Sequence, residues 1–575
     1  MARDHAQEDG VLDAFARAFP TLAASLARPL RNPPIEALVD GVRVLAGRVD
    51  RVLDAGAPRA SVHFADLLIP EALRPFPAAT IMEVLPQGSA ARERRVFNPG
   101  AEFEGVAVEG TRPRFRAHSP FRVDPWRVED ARLAWSSERG QSLDVVLAPI
   151  APVLDGAPLA PVLPLRLYLA GEPRAAFALL ASLHERVAGI ELVAGDHVTV
   201  LPRTALRPWG LRAAEALLPR ERHEHPGFRL VRELLVMPAK FAFVEIDADV
   251  SSLPPTARTT LRFRFDADLP QSVQIARDSF RTNCVPVVNA FDTTTEPLRA
   301  SLERPSHVLR PAGVQPSHAE VYSVRRVTAC LRGGGRAQIA EGAAFDGPGA
   351  EVIRGLFYTL DRVEAAPGRA PDLRLELEAA PDAGALQEID VLSVDAWATN
   401  RSLPNALGVG DVRIATPLSP TSCTFRNIIA VTPYRAAPVG EDLRWRALAL
   451  LSLSARPITR VDSLRALLHA LDLHRTADAQ AARAHAQRLE AIRAVSTTAA
   501  SAPLARGVAR GTDILIELAE RAFDGEGDAL LFGRVLAHLF AHEASLNAFA
   551  RTTVRLAGTG RRYSFPALSD DRTVG

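Results

Sequence analysis

The chain carries two apolar patterns with helical spacing near its N-terminus. In the first, apolar side chains recur at steps of three and four between Leu12 and Leu26, which places them on one face of a helix. The second starts at Pro33, a residue favoured at the first position of a helix, and continues to Val52. The sequence therefore predicts two amphipathic helices in this region.

The second of these helices has a long apolar stripe along one face. Two helices of this kind cannot bury both stripes by themselves, so they need further packing partners. A bundle with another chain and ordinary packing within this chain both meet that need, and both remain open. The residues that we expect to contact a partner, called the N-terminal stripe below, are Ile35, Leu38, Val42, Leu45 and Val49.

The pattern changes at about residue 70, where short apolar runs alternate with proline and glycine. Runs such as 143–150 and 165–170 have the two-residue period of strands, whereas Pro173 to Val187 is expected to form one helix. Short strands separated by turn residues are typical of a sandwich or barrel-like β domain.

A second β-rich block follows. Within it Leu261, Phe263 and Phe265 alternate with charged residues, so we expect these three side chains to face a core. The glycine-rich residues 331–350 predict a loop, and further strands are expected from residue 355 to residue 399.

The helical period returns in the last third of the chain. Leucine spacing predicts helix between Leu443 and Leu473, with Ser463 as an N-cap, and Ala481–Val495 predicts either a loosely packed helix or a linker. A strand is expected at Asp513–Glu520, followed by a helix from about Asp528 to Phe549.

These patterns predict an α+β, multidomain protein with an N-terminal helical bundle segment, central β-rich domains and a C-terminal α/β, mostly helical module. A chain of 575 residues is too long for one core. We place the helices in residues 1–69, the first β-rich domain in 70–232, the second in 233–440 and the C-terminal module in 441–575.

Composition excludes several classes of function. A net charge of +1 gives no polyelectrolyte surface for nucleic acid. Cys284, Cys330 and Cys423 are far apart and odd in number, so they predict neither a disulfide framework nor a zinc site. Because no signal segment or transmembrane stretch is recognisable, we expect cytoplasmic residence without direct membrane insertion.

Arginine dominates the basic residues, since Lys240 is the only lysine. Arginine forks bind phosphate well, which would suggest an anionic ligand. The arginines instead alternate with acidic residues along the chain, so a GC-rich genome explains them better.

The histidines His538 and His542 are the best candidates for a metal site. They stand four residues apart on an expected helix, but Glu543 follows the pair, whereas the zincin order has the glutamate inside it. The loop sequence His223-Glu224-His225 is better explained as a solvated turn. We therefore predict no metal, no cofactor and no catalytic residue.

Three other features also have simpler structural explanations. The glycines at 333–335 lack the lysine and hydroxyl residue of a phosphate-binding loop. Cys284 stands in an apolar strand, as a small buried residue would. Four acidic residues at the ends of short strands suggest turns more than paired catalytic carboxylates. They are Asp247, Asp249, Asp266 and Asp268.

The most specific motif is SFRTNCVPVVNAF at Ser279–Phe291, followed by EVYSV at Glu320–Val324. The first segment is expected to be an extended apolar strand, broken by Pro286, with amide side chains at Asn283 and Asn289. Together the two motifs resemble a signature of the TssF (VasA/ImpG) family, a baseplate subunit of the bacterial type VI secretion system.

Further segments are similar to the same family, in the same order along the chain. The chain departs from the family pattern at Ile69, Glu71 and Ala72, where the family has tyrosine, histidine and tyrosine. The similar segments are Phe15–Leu26, Pro33–Asp54, Asp66–Ala78, Ala398–Pro404, Val431–Ser454 and Gly511–Leu556.

The resemblance implies a structural subunit without an active site. In this family two TssF copies join one TssG in a baseplate wedge, with TssK, TssE and the VgrG spike nearby. The wedges surround the hub from which the contractile sheath and the Hcp tube polymerise, and the ring transmits an opening signal by changing conformation. Under this resemblance the apolar spacing makes the N-terminal stripe the expected contact with partner helices, and the assembly is expected at the inner face of the cytoplasmic membrane.

Two other functions remain open. The chain could be a wedge subunit of another contractile injection system or phage-like tail, which the neighbouring genes would distinguish. A metal-dependent hydrolase would depend on His538 and His542, and metal analysis of the purified protein would distinguish it.

Overall fold

The computed structural model describes most of the chain beyond residue 68. The described residues are 62, 65–66, 69–137, 140–152, 162–220, 224–248, 258–270, 273–299, 306–342, 352–363, 371–379, 388–439, 445–450, 458, 460–472, 479–504, 507–544, 548–569 and 572–573. The two N-terminal helices and the N-terminal stripe expected from the sequence therefore lie outside the described residues.

Helices are confined to a few segments of the described chain. The α-helices are α1 (Pro70–Leu73), α2 (Pro173–Glu185), α3 (Pro226–Val236), α4 (Val461–Ala470), α5 (Ala479–Glu490) and α6 (Glu526–His542). Residues 445–450 are also helical. Single 3₁₀ turns occupy Gly88–Arg92, Arg203–Ala205, Ala213–Glu215, Pro238–Phe241, Arg277–Ser279, Leu403–Ala406 and Glu520–Ala522.

Strands make up most of the remaining structure. Those before residue 290 are β1 (Ala79–Pro86), β2 (Arg95–Phe97), β3 (Glu102–Gly105), β4 (Arg114–Arg116), β5 (Phe121–Val123), β6 (Trp126–Ser136), β7 (Gly140–Pro149), β8 (Leu165–Leu169), β9 (Val187–Ala194), β10 (His197–Leu201), β11 (Leu206–Pro208), β12 (Phe243–Ile246), β13 (Thr259–Phe265), β14 (Phe280–Arg281) and β15 (Cys284–Val288). Those after it are β16 (Phe291–Thr294), β17 (Leu298–Arg299), β18 (Ser306–Val308), β19 (Glu320–Leu331), β20 (Arg336–Glu341), β21 (Val352–Val363), β22 (Asp372–Ala379), β23 (Ile389–Thr399), β24 (Val412–Ala415), β25 (Cys423–Asn427), β26 (Ile492–Leu504), β27 (Gly507–Leu518), β28 (Ala548–Leu556), β29 (Arg562–Ser564), β30 (Leu568–Ser569) and β31 (Arg572–Thr573).

Five larger sheets organise these strands. The signature sheet has the order β24-β3-β4-β15-β1-β25, and the C-terminal sheet has the order β26-β27-β28-β30-β31 with β29 beside β28. A five-stranded sheet runs β10-β9-β13-β7-β6, and a four-stranded sheet runs β11-β12-β8-β14. The eight-stranded sheet runs β16-β23-β19-β20-β21-β22-β18, with β17 beside β23. This strand-rich arrangement confirms the α+β class.

Strand β13 confirms the alternation read from the sequence. Leu261 and Phe263 are fully buried, Phe265 is nearly so, and the arginines between them are only partly covered. On the outer face Arg262 Nε donates to Asp144 Oδ1 of the adjacent β7 at 2.8 Å. One face of the sheet is thus packed on the core and the other carries cross-strand ion pairs.

The expected boundary at residues 232 and 233 does not separate two domains. Helix α3 runs across it, and in the five-stranded sheet β13 pairs with both β7 and β9. The signature sheet likewise joins β1 to β15 and to β25. Local sequence patterns predict strands but not which distant strands will pair, and for this reason the boundary was misplaced.

Glycines allow three helices to pack closely in the largest apolar core. This core contains residues of α2, α3 and α6 as well as residues of β8, β12 and β13. A Cβ atom on Gly527 of α6 would lie 2.3 Å from the carbonyl carbon of Phe177 in α2. A Cβ atom on Gly227 of α3 would lie 2.9 Å from Cα of Leu539 in α6. The C-terminal helix is therefore built into the core of the central region.

The C-terminal part contains more strand than the sequence predicted. Strand β26 begins at Ile492, inside the segment to Val495 that is expected from the sequence to be a helix or a linker, and continues to Leu504. Helix α6 ends at His542 instead of reaching Phe549. Phe549 lies in β28, whose β-branched Thr552, Thr553 and Val554 favour a strand. The expectation of a mostly helical module is thus wrong for the described residues.

Three smaller expectations also need correction. Pro286 does not break its strand but lies inside β15, opposite Ile81 of β1. On the other side of β15, strand β4 pairs only with Val288, at the end of β15. A proline is tolerated there because its missing N–H faces no partner strand. The glycines at 333–335 form a tight turn, but strand β20 follows directly. Helix α4 begins after Arg460, so Ser463 is not its N-cap.

Within the described residues, no helix is long and apolar enough to cross a membrane.

The contact of α6 with α2 gives a stability prediction. Gly527→Ala should lower the free energy of unfolding by about 1–3 kcal/mol, because the added methyl group meets the rigid backbone of Phe177. Urea unfolding of the chain, co-purified with TssG to keep it soluble, measures this loss. The control is Gly333→Ala, since a Cβ atom there meets no atom within 4 Å. Equal unfolding midpoints for the two variants would contradict the packing argument.

Candidate functional site

The signature segment passes through three sheets in one short stretch. Strand β14 belongs to the four-stranded sheet, β15 to the signature sheet and β16 to the eight-stranded sheet. Asn283 lies at the first crossing and Asn289 at the second. Asn283 has a positive φ of 58°, a left-handed conformation that asparagine adopts more readily than most residues. The motif therefore marks the place where the sheets join.

Asn289 uses its whole amide to connect the signature sheet with the eight-stranded sheet. Its Oδ1 accepts from Thr399 Oγ1 at 2.8 Å and from the backbone N–H of Asn400 at 2.7 Å. Its Nδ2 donates to the carbonyl of Arg114 at 2.6 Å and to Asn400 Oδ1 at 2.9 Å. The side chain is fully buried, so these four hydrogen bonds take the place of those that its amide would make with water.

Asn283 makes an equivalent connection at the first crossing. Its Oδ1 accepts from the backbone N–H of Asp124 at 2.7 Å, and its Nδ2 donates to the carbonyl of the same residue at 2.9 Å. Asp124 lies between β5 and β6. Because the amide bonds to both the N–H and the C=O of this one residue, it replaces the contact that a neighbouring strand would make. Thr282 Oγ1 donates to the carbonyl of Trp126 at 2.9 Å and supports the same contact.

The family-like segment Ala398–Pro404 completes this network. Asn400 Oδ1 accepts from the backbone N–H of Arg114 at 3.0 Å, and its Nδ2 donates to the carbonyl of His318 at 3.2 Å. Arg401 has a φ of 52° and donates from Nε to the carbonyl of Ala319 at 3.0 Å. These residues bind other parts of the same chain, so the signature motifs serve the fold and are not arranged around a substrate.

The structure brings two of the histidine candidates together. His225 is the N-cap of α3, where its Nδ1 accepts from the backbone N–H of Phe228 at 3.2 Å. Its Nε2 lies 3.0 Å from Oε1 of Glu543, which follows α6. The rings of His225 and His542 are 6.2 Å apart in an edge-to-face arrangement. This grouping fixes the ends of α3 and α6 against each other.

A metal site is not formed by these side chains. Among the described residues, no group of three or more His, Cys, Asp or Glu side chains is placed to hold a metal ion. His538, the other member of the pair, is buried in α6. His223 lies outside the described residues.

The only lysine forms a buried ion pair that sequence reasoning missed. Lys240 and Glu233 are both fully buried and their charged groups are in direct contact. Burial lowers the pKa of Lys240 to about 8, although Glu233 opposes the shift. Burial alone would raise the pKa of Glu233, but Lys240 and Arg229 hold it below its usual range. Glu233 Oε1 also accepts from the backbone N–H of Leu217 at 2.8 Å. That the sequence has a single lysine was the one sign that could have pointed to this pair. The lysine pairs with Glu233 in the interior of the protein and does not face a ligand.

The remaining candidates are not assembled into a site. Asp247, Asp266 and Asp268 are exposed, and Asp249 lies outside the described residues. Cys284 is buried in β15, as expected, and burial raises the pKa of its thiol well above the ordinary value. A catalytic cysteine needs the opposite shift, toward the thiolate.

Comparison with known proteins is consistent with this structural reading. A family model described as "Type VI secretion system, TssF" matches residues 10–572. The chain belongs to the TssF family. A curated relative, the type VI secretion system component TssF1 of Pseudomonas aeruginosa, is 25% identical and covers 97% of this chain and 96% of its own length.

Two solved structures share the fold of this TssF-family chain. A chain of the type VI secretion system TssK-TssF-TssG baseplate subcomplex has a TM-score of 0.75 at 22% identity, covering 94% of this chain and 100% of its own. A chain of the baseplate complex from the type VI secretion system has a TM-score of 0.57 at 19% identity, covering 100% and 99%. The family resemblance read from the motifs is thus confirmed.

The network around Asn289 gives the second prediction. Asn289→Ala should lower the free energy of unfolding by about 2–4 kcal/mol, because it leaves the N–H of Asn400 and the carbonyl of Arg114 buried without partners. Thermal unfolding and limited proteolysis of the variant, co-purified with TssG to keep it soluble, measure the effect. Asn98→Ala is the control, since Asn98 is exposed. An Asn289→Ala variant as stable as the control would show that the network is dispensable.

The histidine pair gives the third prediction. Combined His538→Ala and His542→Ala substitutions should cost about 1–2 kcal/mol in packing and leave type VI secretion intact at equal protein level. Secretion is measured in the substituted strain, and metal content is measured on the purified wild-type protein and variant. Loss of secretion at normal abundance, together with loss of a bound metal, would instead support an enzyme or a metal switch.

Proposed function

We propose that this chain is a structural subunit of a type VI secretion baseplate wedge. The observation that carries the proposal is the family match from residue 10 to residue 572. The signature residues support it, because Asn283, Asn289 and Asn400 bind within the chain. On this proposal the protein acts by holding surfaces in fixed positions and not by chemistry.

The proposed partners follow from the assemblies in which the similar chains are found. One similar chain belongs to a complex with TssK and TssG, and the other to a baseplate complex. We therefore assign TssG and a second copy of this chain as direct partners. TssK, TssE and the VgrG spike would lie nearby, and the sheath and the Hcp tube would be reached through the assembly. The complex would lie in the cytoplasm, at the inner face of the cytoplasmic membrane.

The N-terminal stripe is the proposed contact with the partner helices. Its five side chains are aliphatic and share one face of a helix by their spacing. Burying a side chain of this kind contributes about 1.5–3 kcal/mol, so a bundle with partner helices would be well stabilised. Without the partner the stripe would be an exposed apolar surface, which favours aggregation.

The fourth prediction tests this contact. Leu38→Asp with Val42→Asp should abolish complex formation with a co-expressed TssG, because unpaired charges in a helix seam cost several kcal/mol. The mass of the co-purified complex measures assembly. Protease mapping should show that the β sheets remain folded, since the substituted helix is remote from them in sequence.

The matched control places the same two charges on the opposite face of the helix. Ala37→Asp with Val44→Asp adds equal charge on the side of the helix away from the stripe, seven residues apart instead of four, so this variant should still assemble. The wild-type chain expressed alone should self-associate or precipitate, and TssG should rescue it. A monodisperse monomer without affinity for TssG, or assembly of the Leu38→Asp, Val42→Asp variant, would count against the proposal.

A further inference from the structure

Strand β26 forms a long open edge of the C-terminal sheet. Among the described residues it pairs only with β27, in antiparallel register from Ile492 to Leu504. From Arg493 to Ser501 its side chains are exposed or only partly covered. Within the part of the chain that the structure describes, the backbone groups on its outer side are therefore open to another strand.

This edge has little of the protection that isolated edge strands carry. Natural edges are usually blocked by charged side chains, by proline, by bulges or by a covering element. Here the sequence from Ala494 to Leu504 contains no charged residue, and Arg493 and Pro503 stand only at its two ends. The register shift of β26 lies between Ile492 and Ala494, also at one end. The central residues form an unblocked pairing edge.

Pro503 indicates which residues face outward. It lies opposite Val508 of β27 and has no N–H to donate, which suits a position whose N–H would point away from β27. Backbone groups alternate in direction along an antiparallel strand. The outward-facing N–H and C=O groups nearest the centre therefore belong to Val495, Thr497, Ala499 and Ser501.

We propose that β26 pairs with β26 of a second copy of this chain, antiparallel and about a twofold axis at Thr498. In this register Val495 of one copy faces Ser501 of the other, and Thr497 faces Ala499. All four outward-facing residues then pair with one another in both copies. An axis at Thr497 would instead place Ser501 opposite Arg493, at the register shift, and an axis at Ala499 would place Val495 opposite Pro503, which has no N–H to donate. The contact joins the C-terminal sheets of two copies into one continuous sheet.

Charge is the reason for choosing a second copy as the occupant. A twofold contact brings each residue against its own sequence, so a charged edge would repel itself. In the proposed register Arg493 faces Pro503, and no charged residue between them meets another. The contact is separate from the N-terminal stripe and does not depend on TssG. Because it is small, it would be weak by itself and would act where copies are already held close together.

A disulfide trap tests both the pairing and its register. In the proposed arrangement Thr498 meets its counterpart as a non-hydrogen-bonded pair, with Cα atoms about 4.5 Å apart. Disulfides form at Cα distances of about 4.4–6.8 Å. Thr498→Cys in the full chain, kept soluble by co-expressed TssG, should therefore give a disulfide-linked dimer under mild oxidation, detected by non-reducing electrophoresis.

The adjacent Thr497→Cys is the matched control. Both threonines are exposed, but Thr497 is diagonal to its counterpart, at about 7–8 Å. We expect at least about tenfold less dimer from Thr497→Cys, because its cysteines lie beyond disulfide reach. The wild-type chain, with Cys284, Cys330 and Cys423, gives the background. Equal dimer from both variants, or none from Thr498→Cys, would overturn the proposal.

A proline variant separates pairing from folding. Ala499→Pro removes an outward N–H and leaves the bonds between β26 and β27 in place, so it should abolish the Thr498→Cys dimer without lowering the unfolding midpoint. Ala500→Pro, which removes an inward N–H, should lower the unfolding midpoint. Persistence of the dimer in the Ala499→Pro background would overturn the proposed pairing.

Discussion

The arrangement of the β structure depends on two buried asparagines at the points where the chain crosses between sheets. Between Phe280 and Thr294 the chain contributes a strand to three different sheets in succession. Each crossing must reverse or redirect the backbone inside a dry interior, where unpaired polar groups are costly. Asn283 and Asn289 solve this problem because an amide both donates and accepts, and can bond to backbone like a strand. The relative placement of the sheets follows from these contacts.

A second constraint joins the C-terminal helix to the central region of the chain. Helix α6 lies far from α2 and α3 in sequence but packs against both, and glycines at 227 and 527 allow the backbones to approach. The Lys240–Glu233 pair lies in the same region, close to Arg229 of α3. Buried ion pairs contribute little net stability after desolvation, but removing one partner is expensive. Any packing of this core that separates Lys240 from Glu233 would leave a buried charge without its partner, so the pair disfavours alternative arrangements of the core.

Sequence reasoning succeeded where the cause of a structure is local. Alternation in β13 identified the buried face because successive strand residues point to opposite sides. It failed where the cause is distant. The boundary at residue 232 was misplaced because β1 pairs with strands that follow some two hundred residues or more later along the chain. The end of α6 was misplaced because apolar residues such as Phe549 suit a buried strand as well as a helix. The N-terminal stripe lies outside the described residues and stays a prediction.

The signature motif was recognised from sequence, but its role was not. Asn289 reaches Arg114 and Asn400, which are distant in sequence, so no local pattern could have indicated these partners. With these partners known, the role of the motif is clear: its buried asparagines hold sheets of the same chain together. The most recognisable residues of the chain are therefore inside the protein and do not form a surface for other subunits. A scaffold needs this separation. Residues that fix the sheets must satisfy their hydrogen bonds within the chain, while surfaces that bind other subunits must keep apolar area or backbone groups available. By this criterion the aliphatic N-terminal stripe and the uncharged edge of β26 are better candidates for assembly than the signature itself.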